Sequence, residues 1–297
     1  MSTAAPPLIF DRALLRARLV RAARRGGADF LLARVADDLM DRLGSIKRDF
    51  PRVLDLGTPS PLLARGLASR APARFTRASP VAEAASVASW ESLVADHENL
   101  PFAPESFDLV ASALSLQFVN DLPGALVQIR RALAPDGLFL ACLAGGQTLH
   151  ELRTVFATAE EEITGGASPR VAPFADVRDM GGLLQRAGFA LPVTDVDTVT
   201  VRYADLFGLA RDLRAMGATN VLAQRSRRPL RRAVLLRAAE IYAERFADPD
   251  GRVRATFEFI WLSGWAPHES QQKPLKPGSA RTRLADALGV REHKPES

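Results

Sequence analysis

The sequence predicts an α/β protein built on a doubly wound, seven-stranded sheet, with helices ahead of the first strand and a helical cap inserted before the last. Three observations carry this expectation. Between residues 52 and 143, five short apolar runs alternate with segments of helical periodicity, the pattern of successive parallel β-α-β units. The first run closes on the turn Asp55-Leu56-Gly57 and gives way to a new helical segment. Two further strand-like runs, at 196–201 and 255–262, are separated by a long helical stretch that belongs to neither.

Taken in order, residues 11–46 place Leu14, Leu15, Leu19 and Ala22, then Leu31, Leu32, Val35 and Leu39, at helical spacing. Gly26-Gly27 divides them into two helices. Arg52-Val53-Leu54-Asp55-Leu56-Gly57 reads as a buried strand. A helix follows at 61–67, with Ser60 as its N-cap and Pro61 at its first position. Arg74-Phe75-Thr76, Ser92-Leu93-Val94-Ala95 and residues 107–113 are the next three strands. A helix at 122–133 ends in the turn Pro135-Asp136-Gly137, and residues 138–143 form the fifth strand. After Gly145-Gly146, helices at 148–163 and 174–187 flank a polar loop. Residues 196–201 alternate like a half-buried strand, and 204–247 are helical with breaks near Asn220 and Pro229. Residues 255–262 are rich in aromatic and β-branched side chains. The expected division is an N-terminal helical segment 1–46, a core 47–203, a cap insertion 204–252, a last core strand 253–266 and an irregular tail 267–297. Leu206, Leu209, Leu213 and Met216 should lie over the strand ends, so that the Met216-Gly217 turn closes a pocket.

Composition narrows the function. The 297 residues are 47% hydrophobic and 25% charged, the ordinary globular range. A chain of that length buries a core without a disulfide or metal staple, and is neither a disordered tail, a collagen nor a coiled-coil rod. The single cysteine, Cys142, excludes an internal disulfide and a cysteine zinc cluster, and fits a reducing compartment. The four histidines, His97, His150, His268 and His293, are dispersed and give no metal-site spacing. The net charge is +5, and all but four of the 39 basic residues are arginine. They are spread along the chain, which argues against a nucleic-acid partner. Local clusters stand at 16–25 and 225–232; the second is either a solvated helix start or a contact for an anionic partner. No apolar run approaches the ~18 residues of a membrane span, and the first residues lack a signal-peptide core. A cytoplasmic location is expected for a bacterial chain, and the mitochondrial matrix for a eukaryotic one.

In an open parallel sheet the ligand sits beyond the C-terminal strand ends, where strand order reverses. That directs attention to Asp55-Leu56-Gly57-Thr58-Pro59-Ser60-Pro61. Val53-Leu54-Asp55-Leu56-Gly57 resembles motif I of the class I S-adenosylmethionine-dependent methyltransferases. Asp96, with Glu98 and Leu100-Pro101-Phe102, resembles the adenine-side motif. Phe107-Asp108-Leu109-Val110 and the loop Leu114-Ser115-Leu116-Gln117-Phe118-Val119-Asn120-Asp121-Leu122 resemble motif IV. Leu133-Ala134-Pro135-Asp136-Gly137 resembles the turn that follows it. The resemblance implies S-adenosylmethionine as cofactor, an antiparallel last strand, and cofactor contacts at Asp55, Gly57 and Asp96; His97 is a further cofactor-side candidate for its place next to Asp96, with a surface position as the ordinary alternative. Asp55 and Asp96 each have an ordinary reading as well, as a loop hydrogen-bonder and a helix cap. Gln117, Asn120 and Tyr203 are the candidate substrate-binding residues. Methyl transfer depends mainly on alignment, so the lack of an evident general base is no objection, and no catalytic residue stands out.

A narrower resemblance spans nearly the whole chain. Phe10-Asp11-Arg12, Gly145-Gly146-Gln147-Thr148-Leu149-His150-Glu151-Leu152-Arg153, Asp212-Leu213-Arg214-Ala215-Met216-Gly217-Ala218-Thr219-Asn220 and Ser270-Gln271-Gln272-Lys273-Pro274 are similar to the methyltransferase-fold assembly factors of respiratory complex I and their bacterial relatives. That family acts as an arginine hydroxylase on a complex I subunit, which implies a protein partner of that kind. The malonyl-carrier-protein O-methyltransferases of biotin synthesis resemble less of the C-terminal half and imply a carrier protein instead. Two departures bear on the cofactor. Pro59 and Pro61 stand where the motif has its second and third glycines, and proline has no N–H to donate. No acidic residue occurs from Leu56 to Ala82, so Arg77, Ala78 and Ser79 stand where the ribose-binding carboxylate belongs, with Glu83 only in the next helix. Two functions follow: a methyltransferase-family enzyme acting on a protein or carrier-bound group, with weakened cofactor binding, or a non-enzymatic assembly factor or chaperone that has lost it.

Overall fold

The sheet grows from its centre. In the computed structural model, which describes residues 8–85 and 90–272, β1 (Arg52–Leu56) pairs in parallel with β2 (Arg74–Ser79) on one side and β4 (Phe107–Ala113) on the other. β3 (Glu91–Val94) extends the first side, and β5 (Leu133–Ala144) the second. β7 (Val253–Trp265) runs antiparallel between β5 and β6 (Ala190–Tyr203), giving the order β3-β2-β1-β4-β5-β7-β6. The chain therefore reverses its direction of growth between β1 and β4, and loops after those two strands face each other across a crevice.

Side-chain alternation sorts the helices onto the two faces. Leu138, Leu140 and Cys142 of β5 face α2 (Phe30–Gly44), α3 (Leu62–Ser69) and α6 (His150–Thr164). Phe139, Ala141 and Leu143 face α5 (Leu122–Ala132) and α7 (Val177–Arg186). Both faces are covered at the centre of the sheet, so β5 is apolar and buried without a break from Leu138 to Ala144. α1 (Arg12–Arg24) precedes these elements, and the short α4 (Ala82–Ala85) follows β2. The inserted helices α8 (Leu206–Ala215) and α9 (Arg232–Phe246) bury Leu206, Leu209 and Leu213, and Val234, Ala238 and Ile241, in the same core as α2 and α6.

Asp11, Asp121, Asp176 and Asp205 cap α1, α5, α7 and α8, each accepting a backbone N–H of the first turn. Ser60 does not cap α3: Pro61 takes that position without a side-chain bond, because the first helical bond runs from the Arg65 N–H to Pro61 O. β6 begins at Ala190, ahead of the expected alternation, because its ladder with β7 runs from Ala190↔Trp265 to Tyr203↔Val253. The turn expected at Pro135-Asp136-Gly137 is an irregularity within β5, where Asp136 takes a φ of 60° and its N–H bonds Ala266. Packing into one unit extends to Pro267. The tail expected at 267–297, with His293 and the end of the Ser270-Gln271-Gln272-Lys273-Pro274 string, lies outside the described residues from 273 onward.

Candidate functional site

A cavity of about 370 Å³ opens beyond the C-terminal ends of β1 and β4. Gly57, His97, Ser115 and Gln117 line it from the sheet side, Leu15 and Leu19 from α1, and Met216 and Gly217 from the end of α8. The turn after β1 makes this possible. Gly57 has a φ of 77°, a left-handed conformation, and its N–H bonds Ala78. A Cβ at this position would stand 1.8 Å from His97 Nε2 and 2.3 Å from Ser115 Oγ. The side of Gly57 on which a Cβ would project is therefore occupied by a buried His–Ser pair, whose Nε2···Oγ separation is 2.8 Å. Burial, reinforced by the Arg12 charge, pushes the His97 imidazole down to about 4, so the ring is neutral at physiological pH.

Asp55 and Arg77 lie opposite each other in the β1–β2 register. Both side chains are wholly withdrawn from solvent, with Arg77 Nη1 3.2 Å from Asp55 Oδ2. Arg77 also donates from Nε to Ala84 O and from Nη2 to Thr58 O, both at 2.9 Å. It thus braces the loop after β1 from beneath. Burial pushes the Asp55 carboxyl up to about 6, against the opposing pull of the Arg77 charge.

The remaining candidates are engaged with other parts of the chain. Asp96 pairs with Arg12 at 2.6 Å and accepts the Glu98 N–H, while Arg12 also pairs with Glu98 at 2.8 Å. Asn120 Oδ1 accepts the N–H groups of Ile9 and Phe10, and its Nδ2 donates to Phe10 O. Both residues thereby anchor the segment leading into α1. Tyr203 packs in the core, where burial and then Asp212 raise its phenol pKa. Gln117 donates to Leu114 O and keeps a buried Oε1 with no hydrogen-bond partner, a spare acceptor on the cavity wall. The structure thus brings Gly57, His97 and Gln117 together at the cavity and sets Asp55, Asp96, Asn120 and Tyr203 to other contacts. Ser115 and Arg12 were not singled out from the sequence. Ser115 lies in the quoted motif IV loop and Arg12 in the quoted Phe10-Asp11-Arg12 string, but the pairing of Arg12 with Asp96 and Glu98 shows only when α1 is seen against the loop after β3. Among the described residues no His, Cys, Asp and Glu side chains form a metal-binding group.

A seven-stranded sheet with an antiparallel β7, and a cavity above the first strand's glycine turn, define a methyltransferase-fold protein. Residues 54–141 match the family described as methyltransferase domain. The chain belongs to the class I methyltransferase-fold family, in the part of it that includes the arginine-hydroxylase NDUFAF5 proteins. It is 38% identical to "Arginine-hydroxylase NDUFAF5, mitochondrial" of Danio rerio, over 94% of this chain and 89% of the relative. The Homo sapiens protein of the same name is 42% identical, over 92% and 81%. A malonyl-[acyl-carrier protein] O-methyltransferase of Halorhodospira halophila is 35% identical, over 96% and 97%. Among solved structures, the YcgJ protein of Bacillus subtilis is similar in fold, with a TM-score of 0.55 at 14% identity over 79% of this chain and 99% of that one. The [4+2]-cyclase SpnF is similar with a TM-score of 0.51 at 15% identity, over 90% and 99%.

Proposed function

We propose that this chain is an assembly factor for respiratory complex I that receives a protein side chain at the cavity, and that it does not hold S-adenosylmethionine through its family's usual contacts. The first half rests on the 38–42% identity to NDUFAF5 proteins over 92–94% of the chain. The mitochondrial matrix is the corresponding location in a eukaryote, and the cytoplasm in a bacterium. No described helix is long and apolar enough to cross a membrane.

The second half rests on one observation above others, the buried Asp55–Arg77 pair. The methyltransferase fold implies S-adenosylmethionine as ligand class, and the residues present do not suit it. Where the second strand should offer a carboxylate to the ribose, Arg77 turns inward to Asp55. Asp96 is held by Arg12, His97 and Ser115 stand on the side of Gly57 where a Cβ would project, and Pro59 and Pro61 offer no N–H. What the cavity offers instead is an apolar wall from Leu15, Leu19 and Met216, with polar groups at His97, Ser115 and Gln117. Such a lining suits a long side chain with an aliphatic stem and a polar end. A carrier-bound acyl group is the second reading, favoured by the 35% identity to the malonyl-carrier enzyme over 96% of this chain.

Deleting the gene in its source organism separates the two. The expected outcome is loss of assembled complex I, with loss of a one-oxygen mass increment on an arginine of one subunit, restored by the wild-type gene. Normal complex I in the deletion strain overturns the proposal, and a biotin requirement in its place selects the carrier reading.

A further inference from the structure

We propose that a second pocket, of about 510 Å³ and separate from the cavity over Gly57, binds a phosphate-type dianion. Arg18 of α1, Arg170 of the loop before α7, and Arg225 and Arg227 of the loop between α8 and α9 converge on it, with Asp11 and Asn220 completing the wall. This is where the densest basic stretch of the sequence meets the arginines of the first helix.

Counting charges shows what the pocket lacks. Arg225 pairs with Asp11 at 3.1 Å, and Arg170 pairs with Glu160. Among the described residues Arg18 and Arg227 make no close ion pair of their own, and share the Asp11 charge already paired with Arg225. Arg18 donates to Asn220 O, which is neutral. Four guanidinium groups therefore meet two carboxylates, and a phosphate monoester at neutral pH carries the missing charge of about −1.5 to −2. Guanidinium groups present paired N–H donors that match phosphate oxygens two at a time. Crowding supports the same conclusion: burial, and then the charges of Arg225 and Arg21, hold the Arg18 guanidinium below its ordinary pKa.

The framework is fixed without a ligand. Asn220 Nδ2 donates to Pro169 O at 2.8 Å, and Asn220 Oδ1 accepts the Leu222 N–H at 3.0 Å. The Ser226 N–H bonds Ser168 Oγ at 3.3 Å, and the Asp11 N–H bonds Val221 O at 2.8 Å. A site held in this way binds without a large ordering cost. The segments it joins also supply Leu15, Phe174 and Ala218 to the wall of the first cavity, so a bound anion cross-links the cap of that cavity. An acidic protein face or a nucleic acid would extend from the exposed Arg227 over Arg228, Arg231 and Arg232, which are exposed and lie outside the pocket.

The test is calorimetric titration of the full chain, at constant ionic strength, with inorganic phosphate, with glycerol phosphate and with a phosphoserine peptide. Saturable one-to-one binding of inorganic phosphate is expected. Arg18→Gln and Arg227→Gln should each weaken it about tenfold or more, the low end for a hydrogen bond to a charged group. Arg231→Gln with Arg232→Gln should leave it unchanged. Tighter binding of glycerol phosphate or of the peptide identifies the source of the phosphate and supports the site. The proposal is overturned by an absence of saturable heat with all three probes, or by equal weakening in the Arg231/Arg232 variant. Binding of an oligonucleotide, with no binding of any of the three phosphate probes, also overturns it. Melting of each variant in phosphate-free buffer confirms folding, since removing one of several crowded cations relieves repulsion.

Discussion

Asp55 and Arg77 are withdrawn from water together as an ion pair, and Arg77 is held in addition by Ala84 O and Thr58 O. Replacing Arg77 by Met leaves a buried carboxylate without its counter-charge and should cost about 3–5 kcal/mol. Replacing both, Asp55→Leu with Arg77→Met, should recover most of that loss, because apolar groups of similar volume substitute well for a buried pair. Denaturant unfolding of both variants gives the comparison; equal losses in the two would contradict a paired role. His97 adds a pH dependence of definite sign. Its folded-state pKa of about 4 lies below the ordinary 6.5. Above pH 6.5 neither state binds the proton; as the pH falls towards 4 the unfolded chain takes it up and the folded chain does not. Stability should therefore fall across that window, by up to about 3 kcal/mol from this residue. Urea unfolding at a series of pH values should show a shallower slope in His97→Gln than in the parent, and an unchanged slope would rule this assignment out.

At the scale of elements, α1 covers the cavity without belonging to the sheet, and polar contacts hold it there. Asn120 bonds Ile9 and Phe10, Arg12 bonds Asp96 and Glu98, and Asp11 pairs with Arg225. Asn120→Ala should speed amide exchange at Ile9 and Phe10 by about tenfold or more, because local opening no longer breaks those bonds, while exchange in β4 and β5 stays slow. Hydrogen–deuterium exchange with peptide or amide resolution checks this, and equal protection in the variant would mean that Asn120 is not the anchor. The elements themselves were readable because each parallel strand is a short apolar run and each helix carries one apolar stripe. Their edges were less so: Ser60 reads as a cap, yet Pro61 holds the cap position, and β6 extends back to Ala190 on the strength of a partner far along the chain. The same limit applies to the site. Gly57, His97 and Gln117 follow strand ends and could be placed at the cavity from motif order alone. That Asn120 would bond Phe10, or Arg77 meet Asp55, depends on contacts between distant segments and on strand register, which local patterns do not contain.

For the whole molecule, the fold and the chemistry separate. The seven-stranded sheet, its order reversal beside β1 and the cavity above Gly57 are those of a methyltransferase. A fold supplies the frame, and the site decides the reaction. On the reading proposed above, the cofactor finds these groups already engaged within the protein: Asp55 faces Arg77 as an ion pair, Asp96 pairs with Arg12, and His97 and Ser115 stand against Gly57. That is the central claim, and calorimetric titration of the unmodified full-length chain with S-adenosylmethionine tests it most directly. The expected result is no saturable heat, or affinity no better than millimolar. A micromolar dissociation constant would contradict the claim, and would show that the strand-end contacts rearrange to receive the cofactor.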